Sequence, residues 1–189
     1  FEVVGRPFNV ETLGIGVTKG ATALNAAVSD ALRKIHEDKT SLNILMTWGV
    51  AASKVDPPPA PASVLPKEEI DQLKDGNLKV GMELTYPPME FKNEIGREAG
   101  VDVELARAIG ASLGVEVVLV DLPFDALIDA VETGKIDIIL SAMTITDERE
   151  QRVEFIPYLE SGTGILVKKG NPKQIRKPED FCGKAVAVQ

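Results

Sequence analysis

The sequence predicts an α/β domain with a mainly parallel sheet flanked by helices, and three observations carry that expectation. Short apolar, β-branched runs alternate with helical patterns from Leu78 onward, glycines close the helical stretches, and the connections are short. Residues 78–82 read as a strand, Val101–Leu113 as a helix stopped by Gly114, and residues 115–120 as the next strand. Residues 124–131 are helical by the spacing of Leu127, Ile128 and Val131, Gly134 follows, and residues 136–140 form a third strand. A β-α-β-α-β order with short turns implies parallel strands and right-handed crossovers. Ahead of this block, residues 13–17 look like a strand. Residues 21–37 look like a helix with Leu24, Val28, Leu32 and Ile35 on one face, and residues 42–48 like a short helix stopped by Gly49. Between the two parts lies Asp56-Pro57-Pro58-Pro59-Ala60-Pro61-Ala62-Ser63, which suits an extended spacer rather than a helix or a central strand.

Composition narrows the function classes. With 189 residues, 44% hydrophobic and 26% charged, the chain suits one soluble globular domain or one and a half. A formal charge of −8, with no basic cluster beyond Lys168-Lys169, argues against nucleic-acid and anionic-membrane surfaces. No apolar run is long enough to span a bilayer. The start, Phe1-Glu2-Val3-Val4-Gly5, lacks the pattern of a secretion signal, so an exported form would have lost its signal. One cysteine, Cys182, and one histidine, His36, build neither a zinc site nor an internal disulfide, and no cofactor is implied. Cys182 reads as a small core thiol and His36 as a solvated helix histidine.

Ligands of parallel α/β sheets bind outside the carboxyl ends of the strands. Here those ends are Glu83-Leu84-Thr85-Tyr86, Leu122-Pro123-Phe124 and Ser141-Ala142-Met143-Thr144, each with an aromatic ring or a small polar group. The last runs on through Ile145-Thr146-Asp147-Glu148-Arg149, from an apolar strand into an acidic-started helix capped by Thr146 or Asp147. Free backbone N–H groups at that helix start, helped by the Arg149 guanidinium, would hold a carboxylate.

Four motifs carry a family resemblance. Thr85-Tyr86-Pro87-Pro88-Met89-Glu90-Phe91, Gly100-Val101-Asp102-Val103-Glu104-Leu105-Ala106, Gly134-Lys135-Ile136-Asp137 and Met143-Thr144-Ile145-Thr146-Asp147-Glu148-Arg149 occur in this order. Together they resemble the family 3 extracellular solute-binding proteins, the polar amino-acid binding components of bacterial ABC importers, with the type II periplasmic-binding-protein fold. The likeness continues through Val153-Glu154-Phe155 and a hinge-like stretch at residues 162–169. It reaches residues 181–189, which resemble the opening strand of the second lobe. Residues 1–49 are similar to the carboxyl-terminal end of such proteins yet come first, so the chain looks circularly permuted and lacks most of the second lobe. The implied organisation is a hinge-proximal segment at 1–10, a closing segment of the first lobe at 11–49 and a proline-rich linker with a short helix at 50–75. The main part of the first lobe then occupies 76–157, and a hinge strand with the start of the second lobe 158–189.

The resemblance also implies a ligand site. Tyr86 and Phe124 flank the ligand side chain, Ser141 and Met143 supply backbone carbonyls, Thr144 a hydroxyl and N–H, and Arg149 the carboxylate clamp. Glu83 faces the ammonium or a basic side chain, and Ala142 stands at a position that leaves the ligand type open. Without the resemblance, Tyr86 and Phe124 read as core aromatics, Thr144 and Thr146 as helix caps, Arg149 as a solvated charge and Glu83 as a surface acid. The implied partners are a small-molecule amino acid and, for a complete protein, an ABC permease, in an extracytoplasmic setting. Two alternatives stay open. One is a lobe that self-associates or complements a partner fragment. The other is a cyclic-acid dehydratase of the same fold with Glu83 or Glu90 as general acid, although no His, Cys or Ser–base pairing supports an enzyme.

Overall fold

The computed structural model describes residues 1–50 and 56–187. In chain order the elements are β1 (Glu2–Thr18), α1 (Thr22–Glu37), α2 (Thr40–Thr47), β2 (Asn77–Met82), β3 (Thr85–Tyr86), β4 (Glu90–Lys92), β5 (Glu98–Ala99), α3 (Val101–Leu113), β6 (Glu116–Asp121), α4 (Leu127–Glu132), β7 (Ile138–Ile139), α5 (Asp147–Glu150) and β8 (Val153–Val167). They divide into two units, one of Thr12–Leu159 and one of Phe1–Glu11 with Glu160–Gln189.

In the larger unit the main sheet runs β6-β2-β7-β1-β8. Strand β2 is parallel to both β6 and β7, with Val80 opposite Leu119 and Ile138. The sheet is therefore mainly parallel, as expected, and β1 adds an antiparallel neighbour, pairing Gly16 with Ile139. The period-two alternation of the strands separates two hydrophobic cores. Ile138 and Leu140 join Leu78, Val80, Met82 and the apolar faces of α1 and α3, whereas Ile139 turns to the opposite side with Leu127, Val131 and Ile136 around α4. Helix α3 begins and ends where its glycines require. At Gly100, φ is +124° and a Cβ would fall 2.2 Å from the Met89 carbonyl oxygen, while Gly114 closes the last turn in the left-handed region at φ +69°.

Several details of the larger unit differ from expectation. Strands β3, β4 and β5 form a small antiparallel sheet that the sequence does not announce, because strands of two or three residues carry no readable period. The stretch expected to be helical at 124–131 opens as a 3₁₀ turn, Phe124–Ala126, before α4. Of the expected linker, residues 51–55 lie outside the described residues. Residues 56–66 have no regular structure, and the short helix after them is two 3₁₀ turns that bury Ile70 and Leu73. His36 is half-buried rather than solvated, beside the α1–α2 connection.

The smaller unit consists of the outer lengths of β1 and β8 followed by turns. The Asn171 carboxamide exchanges hydrogen bonds with the Ile175 backbone, and the Asp180 carboxylate accepts the N–H groups of Arg176 and Lys177. Cys182 is exposed, not a core thiol, since it follows a single 3₁₀ turn, Pro178–Phe181, with no core around it. Residues 185–187 lie in no strand, and Val188 and Gln189 of the expected opening strand fall outside the described residues.

Candidate ligand-binding site

The site forms where β2, β6 and β7 end. Leaving β7, the chain buries Leu140 and Ser141, turns at Ala142 with φ +43°, and buries the Met143 side chain among the residues around α4. Thr144 then bridges back to Leu13 of β1. Thr146 in extended conformation caps α5 by accepting the Arg149 N–H at 3.3 Å, so threonine rather than Asp147 is the cap. Helix α5 is a single turn of four residues, and its dipole adds little.

Arg149 is held from two sides. Its Nη1 donates to the Thr144 carbonyl at 2.8 Å, and its guanidinium carbon lies 5.2 Å from the centre of the Phe124 ring. Among the described residues Arg149 makes no ion pair, although Asp147, Glu148 and Glu150 surround it in sequence. Arg152, three residues on, is by contrast paired with both Asp129 and Glu132. A half-buried guanidinium with fixed orientation and no acid partner is suited to a planar anion, which it meets bidentately.

The structure thus brings Phe124, Thr144 and Arg149 together. Tyr86 lies in β3 and is 50% exposed, without ring or hydrogen-bond contact to those three among the described residues. The Met143 carbonyl accepts the Gly14 N–H at 2.9 Å and so joins the turn to β1. The half-buried Glu83 donates its N–H to the Ser141 hydroxyl at 3.0 Å, which ties the end of β2 to the turn.

Sequence reasoning missed what lies under the turn. The buried Ser141 hydroxyl donates to Glu90 Oε1 at 2.8 Å. The Ala142 N–H donates to Asp102 Oδ2 at 2.7 Å, and the Tyr158 hydroxyl reaches both Asp102 oxygens at 2.9 and 2.8 Å. Glu90 and Asp102 are 1% and 0% exposed, their carboxyl groups lie within hydrogen-bond reach of each other, and no donor among the described residues reaches Glu90 Oε2. Burial, and then the neighbouring Asp102 charge, pushes the Glu90 carboxyl up to about 9. Burial likewise raises Asp102, to about 7, against the opposing pull of the Ala142 N–H and Tyr158 hydroxyl bonds. The Tyr158 phenol is raised by burial and by the Asp102 charge. Glu90 therefore sits beneath the corner as a neutral acid, sealed from any ligand, which removes it as a general acid for a dehydratase. One signal was available: Asp102 shares the 102, 105, 106, 109 spacing with Leu105, Ala106 and Ile109, so periodicity places a carboxylate on the core face of α3.

Comparison with known proteins bears on this geometry. The family model for bacterial extracellular solute-binding proteins, family 3, matches residues 78–186. The chain is similar to the L-cystine-binding protein TcyJ of Escherichia coli strain K12, 40% identical over 114 residues, covering 60% of this chain and 43% of that protein. It is also similar to the L-arginine-binding protein of Pseudomonas aeruginosa, 39% identical over 116 residues, covering 60% of this chain and 44% of that protein. Among solved structures, an ancestral cationic amino acid solute-binding protein matches with a TM-score of 0.50 at 38% identity, covering 58% of this chain and 48% of that one. The chain spans less than half the length of these curated relatives.

Proposed function

This chain belongs to the bacterial extracellular solute-binding proteins, family 3, and we propose that it supplies the carboxylate-gripping half of an amino-acid site in an extracytoplasmic receptor. The observation that carries the reading is the Arg149 guanidinium, held by the Thr144 carbonyl and the Phe124 ring and, among the described residues, without an acid partner. An amino acid's α-carboxylate fits that fork, and the Phe124 ring shields one side of it from water. Curated relatives named for binding cystine, histidine and arginine support a polar amino acid as the ligand. They also support delivery to a membrane permease by the whole protein, and a binding rather than catalytic role.

Circular permutation is part of the proposal. Residues 1–77 lie outside the family match, yet β1 enters the main sheet between β7 and β8, and α1 and α2 share the core of α3. In this reading, residues ahead of the family match supply part of the sheet and core of the larger unit. The test is an NMR titration of this chain with millimolar L-arginine, L-histidine and L-cystine. The Thr144 and Arg149 signals should respond to at least one of them. Arg149→Ala should weaken binding on the order of thirtyfold or more, the loss of a charged partner for a desolvated carboxylate. A change below threefold would refute the clamp.

A second reading, association with a copy or a complementing fragment, is favoured by Phe1, Val3, Val10 and Leu166, all largely exposed apolar side chains of the smaller unit. Sedimentation of the isolated chain tests it, and a monomer at high concentration would count against self-association.

A further inference from the structure

The acidic pair under the turn has no part in gripping a ligand, yet it is bonded to the Ala142 N–H and the Ser141 hydroxyl of the corner. Ala142 is an L-residue at φ +43°, a conformation that side chains rarely adopt and that must be held in place. A charge-assisted hydrogen bond from its N–H to Asp102 Oδ2 holds it, and Ser141 before it is fixed by Glu90 Oε1 and the Glu83 N–H. Two residues after Ala142 comes the Thr144 carbonyl, which anchors the guanidinium. We propose that Asp102 is a positioning residue for the binding corner, with Glu90 as the neighbour that keeps a proton. Through the Ala142 N–H, the Asp102 carboxylate keeps the turn in the conformation that presents Thr144 and Arg149 to a ligand. This rests on the reading of that corner as a carboxylate site.

The two acids divide their roles by their donors. Asp102 receives the Ala142 N–H and the Tyr158 hydroxyl, so it holds the charge. Glu90 accepts only the Ser141 hydroxyl and lies within hydrogen-bond reach of Asp102, so it keeps the proton and offers it to the Asp102 carboxylate. The groups that face the pair are Tyr158 from β8, the Ser141 hydroxyl and Ala142 amide from the turn, and the charge of Glu83 from the end of β2. Ionising the second acid places two like charges in a dry space, and their repulsion loosens Asp102 from Ala142. The turn then loses its clamp, and Arg149 its orientation.

The test follows the Ala142 amide and Arg149 Nε–H signals of the whole chain by NMR from mildly acidic to alkaline pH, with L-arginine titrations at both ends. The wild-type Ala142 amide should shift in two steps, one near neutrality and one near 9, with the Arg149 signal moving in the second. Glu90→Gln should remove the upper step and keep the lower. Asp102→Asn should remove the lower step and weaken L-arginine binding at least tenfold. Adding Ala142→Gly should recover most of that loss, because glycine adopts the left-handed conformation unaided. An Ala142 amide that stays flat with pH in the wild-type chain would overturn the proposal even if Asp102→Asn fails to fold. Unchanged arginine affinity in Asp102→Asn, or no recovery with Ala142→Gly, would overturn it too. If the wild-type chain binds no arginine at all, the reading of the corner as a ligand site fails, and the two NMR signals still decide whether Asp102 positions it.

Discussion

The turn at residues 141–144 has two sides with opposite charge and opposite exposure. Outward, Arg149 presents a cation over Phe124 that has no acid partner among the described residues and is partly open to water. Inward, Glu90 and Asp102 present acids without a cation, sealed with Tyr158 between β4, α3 and β8. Ordinary structural charges pair off, as Arg152 does with Asp129 and Glu132. Among the described residues neither set is ion-paired, and the turn between them is bonded from below through the Ala142 N–H and the Ser141 hydroxyl. The desolvation cost of the acids falls on the interior, where backbone N–H and hydroxyl groups offset it.

The largest effect on that contrast should come from Asp102→Ala, which strands the Ala142 N–H and the Tyr158 hydroxyl. Two buried groups without partners cost about 2–5 kcal/mol of stability together, measurable by urea unfolding. A loss under about 1 kcal/mol would mean that water reaches the pair. Next comes pH. The folded state holds the Glu90 and Asp102 protons more tightly than the unfolded chain, with values raised to about 9 and about 7. Their contribution is therefore fully present below the ordinary carboxylate range and is lost as pH rises toward 9. Urea midpoints should fall across that window by the equivalent of about 2 kcal/mol or more, and Glu90→Gln should flatten its upper part. Midpoints that rise with pH would place the charges elsewhere. Tyr158→Phe should cost about 1–2 kcal/mol through the loss of a hydrogen bond to a charged acceptor, without touching the Arg149 side. Smallest is the proline tract: replacing Pro57, Pro58, Pro59 and Pro61 by Gly or Ser should change stability by less than about 1 kcal/mol, since the tract acts as a spacer. A larger drop would show that Pro57 and Pro58, which line a cavity with α1 and α2, carry part of the core.

The same contrast governs what was legible in the sequence. Helix α3 was readable to its last residue because Gly100 and Gly114 bracket one apolar period, and the parallel order followed from β-branched runs joined by short connections. That Phe124 and Arg149 lie side by side was expected from their places after the ends of parallel strands. The three-stranded sheet of β3, β4 and β5 was not, since its pairing is specified by partners and not by any local pattern. Nor was the buried pair: Glu90 and Asp102 are ordinary acids until Ser141 and Tyr158, both distant in sequence, enclose them. Charge on the outside is announced locally, whereas charge on the inside depends on long-range contacts.

Titrating this chain with L-arginine and, in parallel, with L-argininamide is the sharpest test, because the two differ only at the group that Arg149 is proposed to hold. The account predicts shifts at Thr144 and Arg149 with the free acid, and little or none with the amide. Equal responses to both ligands, or a response centred away from Phe124 and Arg149, would contradict it.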